Sequence, residues 1–120
     1  MISLAEQCTV FLQVKPVDFR KGIDSLVGVC RRQLDKNPFS GAIFAFRNRK
    51  NTAVKLLLYD GSGFWLMHKR FSKGKLAYWP KSASDKISMP ILTTILNQGT
   101  PGTFTEPWRP LDSANDSMVL

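Results

Sequence analysis

The chain has 120 residues, 43% of them hydrophobic, and a formal net charge of +8. That length suits one domain and leaves too little for a second core, and the apolar content is ordinary for a chain that folds by itself. Two cysteines and one histidine exclude a disulfide framework and a zinc site of ordinary ligand spacing, and no apolar run approaches membrane-spanning length.

The N-terminal run MISLAEQCTVFLQVKP has no basic stretch ahead of an apolar one and no small-residue cleavage site. It is therefore not read as a signal peptide, and a cytoplasmic protein without a membrane partner is expected. Within it, Cys8–Val14 is β-branched and aromatic and ends at Lys15-Pro16, the pattern of a strand closed by proline. Asp18 then stands where a helix N-cap belongs. Phe19, Ile23, Leu26, Val27, Cys30 and Leu34 follow at helical spacing and predict an amphipathic helix of about four turns, ended by Asp35-Lys36-Asn37-Pro38. Cys30 lies on the apolar stripe and reads as a small buried hydrophobe.

Gly41–Arg47 predicts a strand, Asn48–Thr52 a basic loop and Ala53–Tyr59 the next strand. Asp60-Gly61-Ser62-Gly63 is a hairpin turn, because glycine supplies the positive φ such turns need. With Gly61-Ser62 at the tip, the returning strand Phe64–Phe71 sets Tyr59 opposite Phe64, Leu57 opposite Leu66 and Lys55 opposite His68. Ser72–Lys75 is a basic turn, and Leu76–Trp79 reads as a short last strand closed by Pro80. A second helix spans about Met89 to Gln98, with Pro90 in its first turn and Gly99 as its stop. From Thr100 the chain is rich in Thr, Pro, Ser, Asp and Asn, so residues 100–120 are read as a flexible tail, with Trp108 a candidate to dock back.

The element order is that of an α+β domain over residues 1–99: a small antiparallel β-meander with one amphipathic helix packed on it and a short C-terminal helix. The first helix is expected on one face of the sheet, with room for the second on the same face.

Charge is uneven along the chain. Glu106, Asp112 and Asp116 against Arg109 leave −2 after Thr100, so residues 1–99 carry +10. A polyanionic partner accounts for that excess, and lysine used for solubility is the plainer reading. Arg20 and Lys21 fall in the predicted first turn of the helix, where the macrodipole disfavours cations, so they either bind an anion or are neutralised locally, Arg20 by Asp24 four residues on. Arg47-Asn48-Arg49-Lys50-Asn51 is either a solvated hairpin tip or a phosphate contact, for which the guanidinium fork is suited. Trp65 and Trp79 beside Lys69, Arg70, Lys73 and Lys75 suit stacking on single-stranded nucleic acid, but large aromatics in strands are more often core, Trp65 above all.

The candidate nucleic-acid-binding residues are therefore Arg20, Lys21, Arg47, Arg49, Lys50, Lys55, Lys69, Arg70, Lys73 and Lys75. Arg20 and Lys21 are expected at the sheet end that holds Arg47, Lys55, Lys69 and Arg70, away from the Asp60 turn, in one continuous cationic surface. No catalytic, metal or cofactor residues are expected. His68 has no serine or cysteine partner nearby in sequence, and Asp18, Asp24 and Asp60 are scattered and do not form a pair for two-metal nuclease chemistry.

Asp18-x-Arg20-Lys21-Gly22-Ile23-Asp24-x-Leu26, Asn37-Pro38-Phe39-Ser40-Gly41-x-x-Phe44-x-Phe46-Arg47-Asn48-Arg49, Lys55-x-Leu57-x-Tyr59-Asp60-Gly61-x-Gly63-Phe64-Trp65-Leu66, Lys69-Arg70 and Gly74 to Trp79-Pro80 occur in that order. Together they resemble the short TnpB accessory protein encoded by the sixty-six family of bacterial insertion sequences, over about Val10 to Pro80. The chain departs from the family in Phe19, where methionine is usual, and Phe71, where leucine is usual; both stay apolar. The resemblance implies a part in transposition beside a separate transposase that carries the catalytic acidic residues.

Two functions follow from different classes. One is a non-catalytic accessory protein that binds DNA, at element ends or without sequence preference, through its basic surface. The other is a protein-interaction adaptor for the transposase that makes no direct DNA contact. A small nuclease ranks below both.

Overall fold

The computed structural model describes residues 8–81 and 86–102. Seven elements occur among them: β1 (Val10–Leu12), α1 (Ile23–Arg32), β2 (Ile43–Arg47), β3 (Ala53–Tyr59), β4 (Phe64–Arg70), β5 (Lys86–Ile87) and α2 (Met89–Leu96). The strands form one five-stranded sheet in the order β4-β3-β2-β1-β5, and the fold is α+β. The tail expected from the sequence, Trp108 included, lies outside the described residues beyond Gly102.

The meander accounts for β2, β3 and β4, which pair antiparallel. The β3–β4 register is the one set by the Asp60–Gly63 turn: Tyr59 faces Phe64, Leu57 faces Leu66 and Lys55 faces His68. Gly61 adopts φ 100°, which a side chain would strain. Asp60 fixes the turn, its Oδ1 accepting from the Ser62 and Gly63 amides and its Oδ2 from the Trp65 indole at 2.7 Å.

β1 corrects the all-antiparallel picture. It runs parallel to β2, with Val10 beside Ile43 and Leu12 beside Ala45. Parallel neighbours need a crossover, and α1 with its flanking loops supplies it.

The second correction concerns the helices, which cover opposite faces. Leu26, Val29 and Cys30 of α1 pack on Phe44, Phe46 and Leu57. Met89, Leu92 and Ile95 of α2 pack on Val10, Leu12, Ile43, Ala45, Val54, Leu56 and Leu58. β2 and β3 are apolar and buried on both faces, so one helix cannot remove them from water.

The segment Leu76–Trp79 is not a strand. It crosses the α2 face of the sheet, where Trp79 is 6% exposed and its indole N–H donates to the Gln13 carbonyl at 3.0 Å. The Leu76 amide bonds the Asn51 carbonyl. The large ring is better buried across the sheet than set at an edge that would leave one side in water. The fifth strand is instead Lys86–Ile87, antiparallel to β1. α2 begins as its sequence suggests, with Pro90 in the first turn; Ser88 caps it, and it gives way at Asn97.

α1 is shorter than predicted and begins at Ile23, with Gly22 as an N-cap that makes no side-chain bond. Asp18 does not cap it. Its carboxylate is taken by Arg20, through the amide at 2.9 Å and the guanidinium at 2.7 Å, a local turn that competes with helix.

Candidate nucleic-acid interface

The strand directions place the ends of β2 and β4 and the start of β3 together, so Arg47, Ala53 and Arg70 share one end of the sheet. The chain leaving β1 arrives there as well, through the Val17 amide on the Arg47 carbonyl. So does the turn at Lys73–Lys75, whose carbonyls at Lys73 and Lys75 both accept from the Gln98 side chain.

The 48–52 loop is built by its asparagines. Asn48 Oδ1 accepts from the Thr52 and Ala53 amides, and Asn51 takes φ 60° while its Oδ1 accepts from Arg47 Nη1. Asparagine closes such a turn with its own side chain and tolerates the left-handed region. Arg49 and Lys50 are left outward and exposed.

A cleft of about 590 Å³ separates this loop from the chain that leads into α1. Val17, Asp18, Phe19 and Arg20 line one wall, and Asn48, Arg49, Lys50 and Thr52 the other. Arg20 and the 49–50 pair therefore face one concavity. Arg20 keeps Asp18 as its partner, not Asp24, in an exposed ion pair at 2.7 Å. Its hydrogen bonds hold the Asp18 carboxyl well below the usual carboxylate range.

Lys55 goes inward. It is 7% exposed, and its Nζ donates to the Phe19 carbonyl at 2.8 Å and the Lys21 carbonyl at 3.1 Å, with the Phe19 ring beneath it. Its ammonium ties down the segment that carries Arg20 and Lys21. Phe19 also meets His68 edge to face, which sets that segment over the α1 face of β3 and β4. Arg70, opposite Ala53, projects from that same face.

Arg47 and Lys69 serve the other face. Arg47 donates to the Val14 carbonyl and to Asn51 and lies over the Trp79 ring; burial pulls its pKa down from the ordinary value. Lys69 donates to the Leu96 carbonyl at 2.6 Å, at the C-terminal end of α2 where the dipole favours a cation. Trp79 is core, and Trp65, expected to pack, is 47% exposed.

Lys21, Arg49, Lys50, Arg70, Lys73 and Lys75 remain. Their side chains are exposed and make no hydrogen bond or ion pair with any described residue. Among the described residues, the exposed aromatic that the sequence pattern does not single out is Phe39, 45% exposed and packed on Tyr59 and Phe64 at the opposite end of the sheet. The Asn37-Pro38 turn before it is its only local signal. Among the described residues no group of three or more His, Cys, Asp or Glu could hold a metal ion. No described helix is long and apolar enough to cross a membrane.

An α+β sheet covered on both faces, with a fringe of unpartnered cations at one end, is the class of protein these features define. Residues 8–101 match the model of the family described as IS66 Orf2 like protein, and the chain belongs to that family. It is 32% identical over 80 residues to the uncharacterized protein y4jC of Sinorhizobium fredii (strain NBRC 101917 / NGR234), covering 67% of this chain and 68% of that one. It is 30% identical over 112 residues to the uncharacterized protein y4hO of the same strain, covering 92% and 96%. No solved structure matches it. The family gives the chain an accessory role in an insertion sequence.

Proposed function

We propose that this accessory role is non-catalytic and is exerted by binding DNA at the Arg47 end of the sheet. The carrying observation is that Lys21, Arg49, Lys50, Arg70, Lys73 and Lys75 are exposed there and their side chains make no hydrogen bond or ion pair with any described residue, Lys21 lying only in the field of the Asp18 carboxylate. Unpaired cations gathered at one edge repel one another, and a phosphate backbone relieves that repulsion while releasing its counterions. The cleft between Arg20 and Arg49-Lys50 would seat a phosphate, its wall shaped by Asn48, whose side chain is bonded to Thr52 and Ala53.

Fluorescence anisotropy at low salt, with element-end DNA and unrelated DNA, tests this reading. Binding should weaken steeply with salt. No binding at micromolar protein in low salt sinks it.

The adaptor reading draws on the exposed rings of Trp65 and Phe39, which lie away from the cationic end. A pull-down with the cognate transposase, with nuclease added, separates the two. Survival of the complex favours the adaptor, and its loss favours DNA.

A further inference from the structure

The two edges of the sheet differ. β5 closes one edge with two residues, too short to template another chain. β4 forms the other edge with seven residues, Phe64–Arg70, and only β3 pairs with it. The phase of the β3–β4 ladder is fixed at both ends by the Asp60 amide on the Gly63 carbonyl and the Phe71 amide on the Thr52 carbonyl. In an antiparallel pair the bonded residues alternate. Trp65, Met67 and Lys69 therefore spend their main-chain groups on β3, and Phe64, Leu66, His68 and Arg70 point theirs outward.

Natural edges are commonly blunted by charge. Here charge covers one end only: Phe64–His68 carries no formal charge, and Lys69 and Arg70 follow. That gradient is self-complementary in one arrangement. We propose that the open edge of β4 is a self-association surface, on which a second copy of this chain adds its own β4 antiparallel and continues the sheet across a two-fold axis at Met67.

In that register all seven residues pair, and the outward-pointing set of one copy meets the outward-pointing set of the other. Arg70, whose guanidinium bonds nothing described, falls beside Phe64 of the second copy and meets its ring face; Lys69, whose ammonium stays on the Leu96 carbonyl, sets its alkyl stem beside Trp65. The two Arg70 residues stand about 20 Å from the Phe64 end of their own strands, at ~3.4 Å per residue, and so at opposite ends of the pairing. A parallel arrangement would set like charges side by side, which is unfavourable. Trp65, 47% exposed in one copy, gains a neighbour. A two-fold pairing closes on itself and stops at a dimer.

Sedimentation of the full chain without nucleic acid tests the proposal independently of DNA binding. The expected mass at high micromolar concentration is twice the 13.5 kDa of one chain. Trp65→Lys keeps an exposed position exposed and sets lysine against Lys69 of the second copy; His68→Pro removes an outward N–H. Each should raise the dimer dissociation constant at least about tenfold, with circular dichroism reporting the fold. Met67→Cys should form a disulfide dimer under mild oxidation, since unbonded antiparallel pairs lie about 4.5 Å apart at Cα; the parent, with Cys8 and Cys30, and Ser62→Cys are the controls. A chain that stays monomeric throughout overturns the proposal. So does a dimer that Trp65→Lys leaves unchanged, or a Met67→Cys chain that cross-links no more than its controls.

Discussion

At the hairpin end of the sheet, Arg31 stands over the Phe39 ring and Lys36 over Phe11, and the Asp60 carboxylate takes donors from Ser62, Gly63 and Trp65. At the Arg47 end, three of the candidate cations are spent on structure. Lys55 holds the carbonyls of Phe19 and Lys21, Arg47 that of Val14, and Lys69 that of Leu96. The side chains of Lys21, Lys50 and Arg70 beside them make no hydrogen bond or ion pair with any described residue. The contrast separates two uses of positive charge that look alike in a sequence. A cation set against a ring or a carbonyl stabilises the fold. A cation left bare beside others of its sign is available to a ligand.

Tryptophan gives the largest test of that contrast. Trp79→Ala, at the structured end, removes a buried ring and its bond to Gln13 and should cost about 3–5 kcal/mol in urea unfolding. Trp65→Ala, half-exposed near the hairpin turn, should cost less than about 1 kcal/mol. Equal costs would erase the distinction.

Charge reversal comes next. Arg70→Glu and Lys50→Glu should each weaken DNA binding about tenfold or more and lower its salt slope by about one unit for every phosphate no longer neutralised. Arg31→Glu at the hairpin end should change it far less. If Arg31→Glu and Arg70→Glu act alike in anisotropy, binding follows net charge and the cationic end is not a site.

Lys55→Met keeps the buried stem and removes the ammonium. It leaves the Phe19 and Lys21 carbonyls without their donor, so urea unfolding should show a loss of about 1–3 kcal/mol. The Lys21 amide, bonded to the Asp18 carbonyl in the segment Lys55 ties down, should exchange markedly faster with deuterium. Unchanged exchange there would show that Lys55 does not position Arg20 and Lys21.

The smallest effects are those of pH. Hydrogen bonds hold the Asp18 and Asp60 carboxyls well below the usual carboxylate range. A carboxyl lowered by folding contributes stability above its unfolded pKa that is lost as pH falls through the folded one, so the parent should weaken below about pH 4. Asp60→Asn should flatten that decline. Burial pushes the Cys30 thiol up to about 12 from 9.0. Its contribution is full below the unfolded value and lost as pH rises toward the folded one, and Cys30 should resist alkylation at about pH 8 in the folded chain but not in urea.

Much of this was legible in the residues. The Asp60–Gly63 turn names its own register, because a two-residue tip leaves one alignment for the apolar positions on either side. The apolar stripe from Ile23 to Cys30 gives α1, Pro90 marks the first turn of α2, and the charge excess is plain arithmetic. The family motifs were legible too, because their order and spacing survive without any tertiary pairing being known.

What the sequence could not show is where each of these meets the rest. Local propensity and periodicity act over a few residues, whereas the parallel pairing of β1 with β2, the split of the helices between two faces and the docking of Trp79 on Gln13 join residues far apart in the chain. Lysine and arginine carry the same charge wherever they fall, so only the tertiary structure could separate Lys55, Arg47 and Lys69, which bond carbonyls, from Lys21, Lys50 and Arg70, whose side chains bond nothing described. The carbonyls that capture the first set belong to backbone that comes within reach only when the sheet and its two covering layers close.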